Sequence, residues 1–410
     1  MAAKGQTLLH DGHPTSTPMN ARHPDVVVVG LGAVGSAVCH HLARSGARVV
    51  GIDRFEPPHD HGSSHGLSRV TRLAVGEGEA YVPLALRSHE LWRELEAQTG
   101  ASIYRPTGGL IISSDAADAS AFHGSGGFFA RTVAIAQRFG IGHELLDAAA
   151  IRERFPAFLV GDHEVGYLEP SAGVLFPEKA VAAQLAEARR HGATLRLQEK
   201  VLRFVAHGSG SVEVVTDRGS VSAARVVVAA GAWTPGLDGS LPAGTVRVQR
   251  QVLHWFRTTT PRLYRPEACP VFIWMHGPGA EDALYGFPMI DGIDGVKVGA
   301  EQYVLETDPD AVERHVSPEE TRATYETHVA GRLQGLAAEA VRSATCLYTT
   351  TVDAAFAIRP HPKSAAITVV SACSGHGFKH SAALGEALAA EITGAKPRVS
   401  LASWMAPAPA

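Results

Sequence analysis

Three glycines and an acidic residue near the start of the chain have the types and spacing of a dinucleotide-binding turn. The glycines are Gly30, Gly32 and Gly35, and an apolar run precedes them. The first permits a tight turn, the second lets a pyrophosphate approach the backbone, and the third lets a helix pack on a strand. Asp53 follows Gly35 by 18 residues, and a carboxylate at this distance can bind a ribose diol. The pattern predicts a dinucleotide site and leaves FAD and NAD both open.

The elements that position these residues follow from the hydrophobic pattern. Four valines at 26–29 show no polar alternation, as in a strand that is buried on both faces. The helix predicted at about 33–45 points its positive N-terminal end at the phosphates. Further strands of this kind are predicted near 226 and 367, so the nucleotide-binding domain is predicted to be discontinuous in sequence.

The predicted fold class is α/β, a Rossmann-like domain joined to a second domain built on a mixed β-sheet. Two domains are expected because 410 residues exceed what one hydrophobic core supports. The predicted limits are 1–24 for a disordered leader, 25–105, 165–240 and 345–400 for the dinucleotide-binding domain, and 106–164 and 241–344 for the substrate domain. Other predicted elements are helices at about 81–98, 178–191 and 317–335, and short strands near 194–197, 201–205 and 212–216.

Composition and charge exclude several classes of partner. The net charge is −4 and no basic block is present, so neither nucleic acid nor an anionic membrane is expected as a partner. No apolar stretch approaches the length of a membrane span. The four cysteines, Cys39, Cys269, Cys346 and Cys373, include no CxxC pair, which argues against disulfides and a zinc site. We expect a cytoplasmic, monomeric protein without a metal.

Six blocks of sequence carry a resemblance to a known family. They are GSSHGLSRVTRLAVGEGEAYVPLALRS at 62–88, AGVLFPEKA at 172–180, YGFP at 285–288, GVKVG at 295–299, CLYTTTVDAAFAIRPHP at 346–362 and SGHGFKHSAALGE at 374–386. Through them the chain, from about residue 25 to 400, resembles the monomeric sarcosine oxidase and N-methyltryptophan oxidase family of FAD-dependent amine oxidases. The resemblance implies that the dinucleotide is FAD.

Cys346 is the cysteine to which the resemblance gives a role. It opens the family segment C-x-Y-T, and it implies covalent attachment of FAD through the sulfur. This chemistry requires a thiolate, whereas a lone cysteine outside such a motif is usually a buried packing residue. We expect that second role for Cys39, Cys269 and Cys373.

Four cations receive roles from the resemblance. Lys297 aligns with a lysine that serves oxygen activation, and Arg69 with an arginine near the flavin face. Arg72 and Lys379 match a pair that binds the substrate carboxylate, a task that suits a bidentate guanidinium and an ammonium. A cation near the flavin also stabilises the negative charge of the reduced ring. The alternative for each is a solvated surface cation.

The resemblance also predicts which residues contact the flavin and the substrate. Tyr285 resembles a tyrosine near the substrate amine, with a core tyrosine as the alternative. His65 lies in the flavin-facing loop, and His376 has a structural hydrogen bond as its plainer role. The predicted flavin-binding residues are Gly30, Gly32, Gly35, Asp53, Arg54, Ser64, His65, Arg69, Val201, Cys346, Gly375, His376, Gly377, Phe378 and Lys379.

Glu301 is a departure from the family pattern. In sarcosine oxidase a histidine that lines the substrate pocket lies four residues after the lysine, and here Glu301 stands at that distance from Lys297. A carboxylate there attracts a cationic amine and repels the carboxylate of the substrate. It therefore argues against sarcosine itself and leaves room for a bulkier or more basic N-substituted amino acid. The alternative is a glutamate that points to solvent from a strand edge.

The predicted reaction is FAD-dependent oxidation of a secondary amine, most readily the N-demethylation of an N-methyl amino acid. The amine becomes an imine, water releases formaldehyde from it, and O2 is reduced to hydrogen peroxide. Two alternatives stay open: an oxidase or desaturase of a cyclic imino acid, and a flavin-binding protein without turnover. An NAD-dependent dehydrogenase is disfavoured, because the attachment cysteine would have no purpose there. The predicted partners are an amino-acid substrate and O2.

Overall fold

The computed structural model describes residues 23–118, 126–208, 210–290 and 292–405. Residues 1–22, most of the predicted leader, lie outside the described residues. The described α-helices are α1 (Ala33–Arg44), α2 (Val82–Thr99), α3 (Asp115–Asp118), α4 (Phe128–Phe139), α5 (Ala148–Arg154), α6 (Pro177–Arg190), α7 (Pro318–Thr324), α8 (Ser381–Thr393) and α9 (Ala402–Met405). Short 3-10 helices are found at Glu79–Tyr81, Gly231–Trp233, Pro261–Tyr264 and Phe378–His380.

The β-strands fall into four sheets within the described part of the chain. Their bounds are β1 (Val26–Val29), β2 (Val49–Ile52), β3 (Arg69–Thr71), β4 (Tyr104–Pro106), β5 (Gly109–Ser113), β6 (Glu144–Asp147), β7 (Val165–Glu169), β8 (Gly173–Leu175), β9 (Thr194–Arg196), β10 (Val201–Ala206), β11 (Val212–Thr216), β12 (Gly219–Ala223), β13 (Arg225–Val228), β14 (Val246–Thr258), β15 (Val271–Met275), β16 (Ala283–Gly286), β17 (Val296–Ala300), β18 (Leu336–Thr351), β19 (Ala357–His361) and β20 (Ser364–Ser371).

β1 lies inside a largely parallel sheet with the strand order β19-β20-β13-β1-β2-β9. Its valines alternate between two cores. Val26 and Val28 pack with the helical layer, to which α1, α6 and α8 contribute, and Val27 and Val29 pack against the small sheet β10-β11-β12. Because both faces of β1 are covered, every position along it is apolar.

The elements predicted for the nucleotide-binding part of the chain are confirmed. Strand β1 and helix α1 occupy the predicted positions, and β13 pairs in parallel with both β1 and β20. The strands predicted near 226 and 367 therefore join the strand at 26–29 in one sheet. Helices α2 and α6 agree with the predictions at 81–98 and 178–191 within a few residues.

The second large sheet is mixed and has the order β18-β14-β17-β16-β15-β5-β7-β6. Pairing is parallel between β5 and β15 and antiparallel elsewhere. Three predicted site residues lie on its strands: Tyr285 on β16, Lys297 on β17 and Cys346 on β18. The small sheet β3-β8-β4 carries Arg69. Strand β7 lies in the segment 165–240, which was predicted for the dinucleotide-binding domain, and it pairs in the second sheet. Strand β18 spans position 345, where a domain boundary was predicted. The predicted domain limits stay a prediction.

The helix predicted at 317–335 is wrong in its second half. Helix α7 ends at Thr324, and one π-helical turn, Tyr325–Val329, follows. Gly331 and Gly335 both have φ of +74°, a left-handed conformation that a right-handed helix does not contain. Separately, no described helix is long and apolar enough to cross a lipid bilayer.

Candidate functional site

A cavity of about 860 Å³ is lined by residues from both large sheets. It begins at the carboxyl end of β1 and at the glycine turn that follows, the place where open parallel sheets bind nucleotides. From there it extends along strands of the second sheet, past Tyr285 and Cys346. Most of the predicted site residues are therefore gathered around one space.

The glycine turn has the geometry that the spacing predicts. Gly30 has φ of +84°, and a Cβ there would lie 2.7 Å from the Cα of Ala230. A Cβ on Gly35 would overlap the Gly30 carbonyl, so the third glycine lets α1 pack against the turn. Gly32 and the first residue of α1, Ala33, line the cavity, which places the positive end of a helix at its wall.

Asp53 also lines the cavity, at the carboxyl end of β2. Its carboxylate accepts hydrogen bonds from the backbone N–H groups of Leu31, at 2.6 Å, and Phe55, at 2.8 Å. Burial raises the pKa of Asp53, and these two bonds act in the opposite direction. The carboxylate is thus fixed beside the glycine turn. The predicted residues Arg54, Ser64 and Val201 line the same cavity.

Cys346 lies in the cavity wall next to a guanidinium. Nη2 of Arg69 is 3.5 Å from the Cys346 sulfur and also donates to the Ser63 carbonyl at 2.7 Å. Cys39 and Cys269 are buried in hydrophobic cores, as expected. Cys373, expected to be a packing residue, instead lines the cavity. Its neighbours in the glycine-rich segment were the available signal for this position.

The glycine-rich turn before α8 forms another part of the wall, through Gly375, His376, Gly377 and Phe378. Gly375 has φ of +78°, and the Nε2–H of His376 can donate to the Ala354 carbonyl at 2.9 Å, the structural role that its alternative prediction named. The turn is tied to β18 because the Ser374 N–H donates to the Thr349 carbonyl at 2.9 Å.

The cavity has features that fit a dinucleotide with a polar ring system. The hydroxyl oxygen of Thr349 is buried in the wall and has no hydrogen-bond partner among the described residues. Buried polar atoms are normally paired, so this oxygen is available to a bound molecule. Thr349, the glycine turn and Asp53 together fit FAD.

Arg72 and Lys379 meet in the wall around a glutamate that the sequence analysis missed. Nη2 of Arg72 lies 2.6 Å from one carboxylate oxygen of Glu77, and Nζ of Lys379 lies 3.3 Å from the other. All three side chains are at most 6% exposed. Burial lowers the pKa of Lys379 to about 8. In the sequence, Glu77 stands between Gly76 and Gly78, and these two glycines were the signal that could have marked it.

Glu169 holds the segment that carries Arg72. Its buried carboxylate accepts hydrogen bonds from the backbone N–H groups of Leu73, at 2.7 Å, and Ala74, at 3.1 Å. The Tyr167 hydroxyl donates to it at 3.0 Å. Because these bonds fix the residues directly after Arg72, Glu169 is a positioning residue for the guanidinium.

Lys297 and His65 are buried next to the cavity wall. Nζ of Lys297 donates to the carbonyls of Gly66, at 2.5 Å, and Ser68, at 2.9 Å, and lies 4.6 Å from the centre of the Phe287 ring. Burial lowers the pKa of His65 to about 3, so its ring is neutral at pH 7. Lys297 thus holds the loop that leads to Arg69.

Glu301 lies in the cavity wall and is 6% exposed, so it does not point to solvent. The Tyr348 hydroxyl donates to one carboxylate oxygen at 3.0 Å, and the Tyr303 hydroxyl donates to the other. Tyr285 lines the cavity as well, and burial raises its pKa. Neither tyrosine was assigned to Glu301 from the sequence: Tyr348 is 47 positions away along the chain, whereas Tyr303 is only two residues after Glu301.

Comparisons with known proteins agree with the site. The model of the FAD dependent oxidoreductase family matches residues 25–391. The monomeric sarcosine oxidase of Streptomyces avermitilis is 39% identical over 373 residues, which cover 89% of this chain and 92% of that protein. The N-methyl-L-tryptophan oxidase of Yersinia pestis (strain Pestoides F) is 34% identical over 370 residues, with 89% and 94% covered.

Among solved structures, a mutant of NikD, described as an unusual amino acid oxidase essential for nikkomycin biosynthesis, superimposes with a TM-score of 0.79. The sequence identity is 25%, and the match covers 94% of this chain and 97% of that chain. The predicted fold class and the resemblance inferred from the six blocks are both confirmed.

Proposed function

Because this chain belongs to the FAD dependent oxidoreductase family, we propose that it oxidises the secondary amine of an N-methyl amino acid. The chain is a FAD-dependent oxidase that acts on CH–NH groups, as its similarity to the sarcosine and N-methyltryptophan oxidases indicates. The net reaction converts the N-methyl amino acid, O2 and water into the primary amino acid, formaldehyde and hydrogen peroxide. The cytoplasmic location and the monomeric state stay predictions.

The observation that carries this proposal is the carboxylate-binding pair in the cavity wall. Arg72 and Lys379 already hold the carboxylate of Glu77. Every amino-acid substrate has a carboxylate of the same kind. The pair shares one cavity with the glycine turn and Cys346. A substrate carboxylate bound by the pair would therefore lie in the same space as the cofactor.

FAD would be held by the glycine turn after β1, by Asp53 and by the glycine-rich turn before α8. When bound, it supplies the two-electron acceptor for the amine and returns those electrons to O2. The protein supplies position and charge around it. Arg69 adds a fixed positive charge at the end of the cavity where Cys346 lies.

The residues of this chain bind and orient the substrate. The substrate carboxylate replaces Glu77 between Arg72 and Lys379, because two adjacent carboxylates repel each other. The substrate amine has to be neutral before its C–H bond can be oxidised. The buried cations favour this, since a positive charge nearby lowers the affinity of the amine for a proton.

Covalent attachment of FAD through Cys346 is part of this proposal. A guanidinium 3.5 Å from the sulfur stabilises negative charge there, and the thiolate is the nucleophilic form of cysteine. Burial raises the pKa of Cys373, the other cysteine in the wall, which disfavours its thiolate. Cys346 is thus the better placed of the two for attachment.

The test is a panel of amines assayed for hydrogen peroxide and formaldehyde. N-methyl-L-alanine, N-methyl-L-tryptophan, sarcosine, L-proline and L-pipecolate cover the open alternatives. Peroxide and formaldehyde in equal amounts from N-methyl amino acids support N-demethylation. Peroxide from the cyclic acids alone, without formaldehyde, supports ring oxidation instead, and absence of peroxide with every compound supports a flavin-binding protein without turnover.

A further inference from the structure

Glu301 is a buried carboxylate whose position is fixed at both oxygens. The Tyr348 hydroxyl donates to Oε1 at 3.0 Å, and the Tyr303 hydroxyl donates to Oε2. Hydrogen bonds to a carboxylate stabilise its ionised form. The two tyrosines therefore hold a negative charge at one defined place in the cavity wall.

This negative charge lies close to the carboxylate-binding pair. Oε1 of Glu301 is 3.2 Å from the position that a Cβ on Gly375 would occupy, and Gly375 is four residues before Lys379. Glu301 is also among the charges that act on Lys379. The wall thus presents an anion-binding pair and, a short distance away, an anion that can bind a cation.

A cation that binds Glu301 has to be protonated, whereas the reacting amine has to be neutral. A fixed carboxylate in contact with the reacting nitrogen would stabilise its protonated form, and the protonated amine cannot be oxidised. A second cationic group on the substrate has no such conflict, because it stays protonated throughout the reaction. It would also offset the repulsion between Glu301 and the substrate carboxylate.

We propose that Glu301 binds a second cationic group of the substrate, so that the preferred substrate is an N-methyl α-amino acid with a basic side chain. This inference rests on the proposed function and narrows its substrate class. Tyr303 and Tyr348 act as positioning residues, since they orient the carboxylate. Arg72 and Lys379 bind the part that all amino acids share, and Glu301 distinguishes among them.

The experiment compares two substrates that differ in one group. Nα-methyl-L-lysine and Nα-methyl-L-norleucine have side chains of the same carbon length, and the second lacks the ammonium group. Peroxide formation gives kcat/KM for both with the FAD-loaded wild-type protein. We expect a preference for the lysine derivative of about 30-fold or more, as for a buried charge pair. Equal values, or a preference for the norleucine derivative, would overturn the inference without any variant.

Two variants then assign the preference to Glu301. Glu301→Gln should reduce it to about 1, mainly by raising KM for the lysine derivative. The matched control is Glu339→Gln, which removes one negative charge from an exposed side chain on β18 and should leave the preference unchanged. If Glu301→Gln does not fold, Tyr303→Phe keeps the ring, removes one donor and should lower the preference in part.

The outcomes separate this inference from the function on which it rests. Oxidation of N-methyl-L-alanine with release of formaldehyde, but without a preference for the lysine derivative, refutes the role of Glu301 and leaves N-demethylation standing. A preference that persists in a folded Glu301→Gln variant also refutes it. If no N-methyl amino acid yields peroxide, the proposed function itself fails.

Discussion

Lys379 should make the binding of carboxylates depend on pH near 8. Burial is the largest cause of its lowered pKa, about 8 against an ordinary 10.5. At about 1.4 kcal/mol for each pKa unit, the protein environment disfavours the charged lysine by about 3 kcal/mol. The side chain is charged below its pKa and neutral above it. The ion pair with a ligand carboxylate is therefore fully available below pH 8 and is lost as the pH rises through that value.

Three neighbouring groups do not titrate in the same range. His380 has a pKa held well below its ordinary value by burial, and burial raises the pKa values of Tyr303 and Tyr348 well above theirs. A simple ligand such as propionate is fully ionised above pH 6. A change in its affinity between pH 7 and 10 that disappears when Lys379 is replaced by Arg reports on Lys379.

The assay is titration of the flavin absorbance with propionate at several pH values. We expect the dissociation constant to be nearly constant from pH 6 to 7 and to rise by up to tenfold for each pH unit above 8. Binding of the anion raises the pKa of Lys379 in the complex, so the rise in the dissociation constant levels off above the pKa of the complex. Lys379→Arg keeps its charge over this range and should bind with a constant affinity. A flat profile for the wild-type protein would refute the assignment of Lys379 to the carboxylate.

Three further changes test the remaining roles. Cys346→Ser should fold and bind FAD reversibly, and a tryptic peptide of the wild-type protein that contains Cys346 without the mass of a flavin would exclude covalent attachment. Lys297→Met should slow the reoxidation of the flavin by O2 more than its anaerobic reduction, because positive charge near the flavin stabilises charge that forms on oxygen; equal slowing in stopped-flow measurements would contradict this. Glu77→Gln should strengthen the binding of propionate by about tenfold, or about 1.4 kcal/mol, since it removes the carboxylate that competes for Arg72 and Lys379, whereas weaker binding would show that Glu77 organises the pair.

The parts of the site that could be predicted from sequence are those that local geometry determines. Gly30 and Gly32 lie between β1 and α1, and Gly35 lies in the first turn of α1, so the spacing of the three glycines predicts the geometry of the turn. The ion pair between Glu77 and Lys379 joins residues 302 positions apart, and no local pattern relates them. The same holds for Tyr348, which lies on β18, and Glu301, which directly follows β17; these two strands are not neighbours in the sheet.

The family resemblance predicted most of the remaining site residues. It did not predict how their side chains interact with one another. It placed Arg72 and Lys379 together but did not show that Glu77 occupies them. Two further predictions had the same weakness: the helix predicted at 317–335 ends before two glycines with positive φ, and Cys373 lies in the cavity wall. In each case the deciding fact is a backbone conformation or a tertiary neighbour.

The charges in the cavity wall explain why the carboxylate-binding pair, Arg72 and Lys379, cannot select a substrate on its own. Buried cations need an anionic partner, and Glu77 supplies one to Arg72 and Lys379 before any substrate arrives. A substrate carboxylate exchanges one anion for another, so its net contribution to affinity is the difference between two similar ion pairs. Every amino acid can make this exchange equally well. Discrimination must come from a further contact between the substrate and the protein. Within the described wall, Glu301 is a charge that would attract a basic side chain and would not attract an uncharged one.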